Sequence, residues 1–236
     1  MDYKQILSAC EERKHLISMV SIEGILQIGY DLGMNENTTV LDLCCGNGEM
    51  LKLWSEAFGI RGTGIDQEQA FIETGKARVN TELVTLICGD VLTFDTLEKF
   101  DIVTCTELTT GVFDSFEKGI AFLEHFVKQN GTLVFGSLYL KKENPPHELI
   151  EFDGEMPTLA ELWKTVKRLG YHFTSMATST DAEWERYILS DAKAAIKHLR
   201  QKPDDEFAAW DDKWYRIYFE QRRAYEGWGL FAAVKV

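Results

Sequence analysis

The chain of 236 residues is poor in proline, with 4, and has no apolar run near the roughly 20 residues that cross a bilayer. Its start, Met1-Asp-Tyr-Lys-Gln, is polar where a secretory leader would place an apolar stretch, so the sequence reads as a cytoplasmic protein with no membrane attachment. Basic residues are also scarce: 25 Lys and Arg face 38 Asp and Glu, a formal charge of −13, which disfavours any role that neutralises the phosphates of DNA or RNA. Five cysteines, at 10, 44, 45, 88 and 105, form no disulfide framework, and no pair has the gap of a zinc knuckle, so no metal site is expected. Four of them lie in or at the end of apolar runs and read as small buried hydrophobes.

What is present is apolar material for a sizeable core, 45% of the chain, in a regular order. Residues 3–32 carry Ile6, Leu7, Cys10, Ile17, Val20, Ile25, Ile28 and Leu32 at helical spacing, predicting two helices broken near 18–21. Strands follow at 39–44, 62–65, 83–88, 100–105 and 132–138, separated by amphipathic helices at 49–58, 67–80 and 115–129. Continuous apolar strands alternating with helices predict an α/β fold with a mostly parallel sheet covered on both faces. A helix at 158–169 and a strand at 171–178 come next. Two aromatic helical stretches, 182–201 and 206–225, precede a last strand that ends the chain. Trp184, Ile188, Ile196 and Leu199 fall near one face of the first; Trp210, Trp214 and Tyr218 recur every four residues in the second.

Ligands of such sheets sit at the carboxyl ends of the strands. There, Val40-Leu-Asp-Leu-Cys-Cys-Gly-Asn-Gly-Glu-Met50 runs from a strand through a glycine turn into a helix, and Gly46 and Gly48 allow the backbone close to a ligand. The third glycine of a dinucleotide fingerprint is absent, since position 51 is Leu. Asp42 at the strand end can accept from an amine or order the loop. Asp66, 24 residues later, can take both hydroxyls of a ribose or cap the next helix. Gly89-Asp90-Val91 follows the third strand, where a carboxylate and a backbone amide can meet an adenine edge.

This ordered set, with Phe100-Asp101 opening the fourth strand and Asn130-Gly131 before the fifth, resembles the motifs of class I, Rossmann-like S-adenosylmethionine (SAM)-dependent methyltransferases over about residues 37–140. Gly48-Glu-Met-Leu51 and the closing Gly227-Trp-Gly-Leu-Phe231 resemble a group of bacterial small-molecule methyltransferases distantly similar to those of quinone biosynthesis. The resemblance implies a seven-stranded sheet of order 3-2-1-4-5-7-6. It implies SAM as cofactor, with S-adenosylhomocysteine (SAH) as product, and a small-molecule acceptor. Asp42 and residues Cys44, Gly46, Asn47 and Gly48 would face the methionine part, Asp66 and Gln67 the ribose, and Asp90 and Val91 the adenine. Thr106 would border the sulfonium; Glu107 and His147 are the candidates for acceptor contact or general base. Cys44 stands where the family usually has glycine, so its backbone is expected to avoid a positive φ or a close ligand. Ser137 stands where relatives often carry a carboxylate.

The implied layout is an N-terminal helical cover (1–36), a SAM-binding core (37–180), a helical insertion over the acceptor pocket (181–226) and a last core strand (227–236). Asn144-Pro-Pro-His147 reads as a turn. A homodimer stays open. The rival readings are a non-catalytic SAM- or SAH-binding sensor or partner subunit, supported by Cys44 and Ser137, and a nucleotide-dependent oxidoreductase on the same sheet.

Overall fold

A computed structural model describes residues 16–108, 112–201 and 205–236. The first of the two N-terminal helices and Cys10 lie outside the described residues. The second is α1 (Ile22–Asp31), started by Ser21, whose hydroxyl accepts from the Gly24 amide.

One sheet organises the chain: β1 (Thr39–Leu43), β2 (Arg61–Asp66), β3 (Val84–Cys88), β4 (Phe100–Cys105), β5 (Val127–Leu140), β6 (Tyr171–Thr178) and β7 (Glu226–Lys235), in the order 3-2-1-4-5-7-6. Strands β1 to β5 pair in parallel, and β7 runs antiparallel between β5 and β6. The order reverses beside β1 and β4, so the loops after those two strands flank the crevice where such sheets bind ligands. Helices α2 (Glu49–Phe58), α3 (Gln69–Lys76), α4 (Phe116–Glu124) and α6 (Leu159–Arg168) cross over the sheet. Two apolar clusters fill the layers: one holds Trp54, Ile28, Val134 and Leu230, the other Leu41, Val103, Phe135 and Phe231. The even alternation of β-strand side chains between faces puts both clusters on one sheet. No helix among the described residues is long and apolar enough to cross a membrane.

The helix expected over 115–129 stops at Glu124; Phe126 turns into the core and β5 begins at Val127. Asn130-Gly131 therefore lies within β5, where Asn130 takes φ +65° and a Cβ on Gly131 would meet Val127 at 2.6 Å. The helix expected over 67–80 is shorter, Gln69–Lys76. The Asn144-Pro-Pro-His147 turn is present, with Asn144 at φ +55°, but it leads straight into α5 (His147–Asp153), with Pro146 at the cap. Of the described cysteines only Cys105 is buried. Cys44 and Cys45 are half-buried, and Cys88 is exposed because β3 is a sheet edge.

The aromatic stretches form α7 (Asp181–Gln201) and α8 (Asp205–Ile217), followed by a π-helical turn (Tyr218–Arg222) and the short α9 (Arg223–Tyr225). Trp184, Ile188 and Tyr218 join the same cluster as Leu230. Ile196 departs from its expected face and is exposed, while Ala195 and Leu199 on the far half of α7 pack against Phe207 and Trp210. The Trp214 and Tyr218 rings stack nearly parallel, 6.3 Å apart.

Candidate functional site

The loop after β1 is tight because three alternate residues sit in left-handed conformation: Cys44 at φ +60°, Gly46 at +55° and Gly48 at +72°. The expectation that Cys44 avoids positive φ is wrong. Its residue follows the last strand position and must reverse the chain at once, and an L-residue held there costs about 1–2 kcal/mol. The turn is held by the Cys45 amide donating to the Ile65 carbonyl (3.0 Å) and by the Gly48 amide donating to the Cys45 carbonyl (2.9 Å). A Cβ at Gly48 would approach Leu86 to 2.8 Å. Gly75 of α3 lets that helix lie directly on the Asn47 carbonyl, which a Cβ would strike. Leu51, where a dinucleotide fingerprint has its third glycine, is wholly buried and packs against Gly62 of β2.

Three carboxylates converge on this loop. Asp66 accepts from the Gly46 amide (2.8 Å) through one oxygen and from the Glu68 amide (2.9 Å) through the other, so it orders the glycine turn and the next helix start together. Asp42, 2% exposed, accepts from the Thr104 hydroxyl of β4. Burial pushes its carboxyl up to about 7 against the opposing Thr104 bond, with the Asp66 charge adding to the rise. Glu49, in the first turn of α2, pairs with Arg78 (2.6 Å) and Lys52 (3.4 Å). Burial, then the charges of Asp42 and Asp66, hold the Cys45 thiol well above its ordinary range, so it stays protonated and serves as an apolar filler.

Two cavities open over these groups. A cavity of about 140 Å³ is bounded by Asp42, Gly46, Asn47, Glu49, Thr106 and Leu230. A second, of about 640 Å³, is bounded by Gln67, Glu68, Asp90, Val91 and Leu92. Cys44, Asp66, Phe71 and Glu107 belong to both, so the two form one continuous cleft across the ends of β1, β2, β3 and β4. Leu16, Ile17 and Ser18 roof the first cavity, and Ile17 lies 3.2 Å from where a Gly46 Cβ would stand.

All the residues expected to meet the cofactor line the turn or this cleft. Asp90 also caps the short 3-10 turn Val91–Thr93 by accepting from the Leu92 amide (2.9 Å), and Val91 itself is buried. Glu107 borders both cavities. His147 does not join them: it is exposed at the start of α5, facing Glu151 at 3.4 Å. Ser137 is buried and gives its hydroxyl to the Leu138 carbonyl (2.8 Å). Phe71 and Leu230 line the cleft without having been singled out; an aromatic on an amphipathic helix and a leucine in a closing strand both read as core.

The buried carboxyl of Asp42 and the ordered Asp66, beside the left-handed glycines, are an acceptor set suited to a nucleoside carrying an ammonium group. The 3-2-1-4-5-7-6 sheet order is that of the class I, Rossmann-like methyltransferase fold, and residues 40–131 match the methyltransferase domain family. The chain is similar to SAM-dependent methyltransferases of that class. It is 28% identical to the uncharacterised protein YjhP of Escherichia coli (strain K12) over 99% of both chains. A SAM-dependent methyltransferase from Geobacter sulfurreducens, solved in complex with SAH, superposes with a TM-score of 0.91 at 26% identity over 98% of each chain. One from Thiobacillus denitrificans, also with SAH, gives 0.91 at 25% identity over the whole of both.

Proposed function

We propose that the protein moves the methyl group of SAM to a small-molecule acceptor that enters beneath the cover formed by α7, α8 and residues 16–18. The reading rests above all on the continuous cleft over β1 to β4, where a buried carboxyl, a left-handed glycine turn and Asp66 meet in one place.

On this reading Asp42 and the amides of the 44–48 turn hold the amino-acid end of the cofactor. Asp66 and Gln67 take the ribose, and Asp90, Val91 and the exposed Leu92 meet the adenine. Phe71, in both cavities, packs along the nucleoside. SAM, when bound, supplies a methyl on a positively charged sulfur. The chain's own task is to hold the acceptor's nucleophilic atom about 3 Å from that methyl and keep water away. Leu16, Ile17, Ile25 and Leu230 supply the dry wall. Glu107, at the junction of the two cavities, is the group placed to accept a proton or a hydrogen bond from an acceptor. His147, exposed and outside both cavities, drops behind it as a candidate.

A thermal-shift panel with SAM, SAH and NAD, followed by transfer of labelled methyl from SAM into a metabolite extract, tests the proposal. Stabilisation by SAM and SAH with a labelled product supports it. Stabilisation by NAD alone would remove it, and binding without any product would leave a SAM-binding protein in its place.

A further inference from the structure

Away from the cleft, the first residue of β7 poses an electrostatic problem. Glu226 pairs with Leu140 at the end of β5 and is 1% exposed, yet among the described residues no donor gives a hydrogen bond to either of its carboxyl oxygens. The cation beside it, Arg222, is 3.5 Å away and already engaged: its Nε and Nη2 grip the carboxylate of Asp153 at the end of α5, the Nε at 2.7 Å. The guanidinium lies between the rings of Phe152 and Trp214, 5.1 Å from each centroid. Arg222 thus occupies a face of each ring.

The charged groups around Glu226 are Asp153 from α5, Arg222 from the π-helical turn and Lys141 from the end of β5. Lys141 itself pairs with Asp181 of α7 at 3.2 Å. One buried guanidinium balances one of the two carboxylates, and a second negative charge there would be costly. Burial first, then the Asp153 charge, push the Glu226 carboxyl up to about 8.

We propose that Glu226 keeps its proton in the closed protein and donates a hydrogen bond with it to the Asp153 carboxylate, and that this carboxyl pair with Arg222 is a latch holding α5 and α8 against the start of β7. Both helices of the proposed cover meet there. Trp214 belongs to α8 and stacks on Tyr218, Tyr218 packs on Trp184 of α7, and Arg222 lies in a π-helical turn, an irregularity that lets one helix change register where it meets the sheet. Glu226 acts on the cover by position and touches no substrate. That the cover gates an acceptor rests on the proposed function; the latch does not.

The linkage has a defined sign. Closed, the carboxyl titrates near 8; opened to water it returns to its ordinary value near 4.5. The latch is at full strength below about pH 5, weakens by at most about tenfold in opening constant per pH unit up to about 8, and changes no further above that.

Hydrogen exchange of the full-length protein without ligand, followed for the amides of residues 206–225 from pH 5 to 9 and corrected for intrinsic rates, reads this directly. The wild type is expected to show the rise and the levelling-off near 8. Glu226→Gln, which keeps a neutral side chain, is expected to be flat. Asp153→Asn, which removes the opposing charge and frees Arg222 for Glu226, is expected to level off at a lower pH. Amides of β1 and β4 report global opening in the same samples and confirm that each variant is folded; should Glu226→Gln fail that check, the Asp153→Asn shift decides. A wild type and Glu226→Gln with the same profile, or an unmoved Asp153→Asn, overturns the latch. Failure of SAH to bind the wild type would instead sink the functional reading and leave the exchange result standing.

Discussion

At the scale of single residues, two carboxylates that look alike in sequence have different work. Asp66 spends its oxygens on the Gly46 and Glu68 amides, so it builds the turn as well as facing the cleft. Replacing it with Ala is expected to weaken SAH binding by about 1.5–3 kcal/mol, the loss of a hydrogen bond to a charged group, as read by titration calorimetry. Unchanged affinity would remove Asp66 from the site. Asp42 is buried with a single hydroxyl partner, and its carboxyl, pushed up to about 7, is partly protonated near neutrality. As the proposed seat of the cofactor's ammonium it must ionise on binding. SAH affinity is therefore expected to rise by up to about tenfold per pH unit below 7 and to level off just above it, with proton release. Titrations in two buffers of different ionisation enthalpy measure that release, and Asp42→Asn should bind weakly with no such pH dependence. In the ligand-free protein the same raised carboxyl favours the folded state below about pH 4 and loses that contribution as pH climbs to 7.

Between elements, the cleft depends on how closely a helix can approach a loop. Helix α3 reaches the glycine turn only because Gly75 has no side chain against the Asn47 carbonyl. Gly75→Ala should push that turn aside, lowering both thermal stability and SAH affinity by an amount exceeding the roughly 1 kcal/mol that alanine otherwise gains over glycine in a helix. A variant as stable as the wild type with undiminished affinity would show that the turn is not braced by α3. The order of the first three strand ends was legible in the sequence because each is a short apolar run closing on Asp or Gly, as in Val40-Leu-Asp42, Gly64-Ile-Asp66 and Ile87-Cys-Gly89. The end of α4 was not: 115–129 keeps a helical polar pattern, and only the seat of Phe126 in the core and the pairing of Val127 with Phe100 turn those residues into strand. Cys44 was misjudged for a similar reason. A cysteine gives no local sign of left-handed backbone, and the geometry is imposed by the bonds that tie Cys45 to Ile65 and Gly48 to Cys45.

For the molecule as a whole, the ends of β1 to β4 and residues 16–18 bound one cleft, and occupancy of that cleft is linked to global folding. SAH at 100 times its dissociation constant should add about 2.7 kcal/mol, a rise in melting temperature of roughly 5–10 °C for a chain of this length. Calorimetry in the presence of increasing SAH measures it, and a melting temperature independent of SAH would deny the cleft its cofactor. The acid excess also falls unevenly: residues 1–180 hold 27 acids to 15 bases, residues 181–236 hold 11 to 10. The negative part is the part that contains the cleft, which suits a cofactor bearing positive charge.

The sequence by itself determined the alternating strands and helices, the glycine turn and the three acids at consecutive strand ends, because each is written in local periodicity or in residues with special backbone freedom. Only the tertiary structure decided that Phe71 and Leu230 border the cleft and His147 does not, that Arg222 lies over the rings of Phe152 and Trp214, and that Glu226 is buried with no donor among the described residues. Those facts arise where segments remote in sequence meet, and burial and charge at such meetings depend on every neighbour at once.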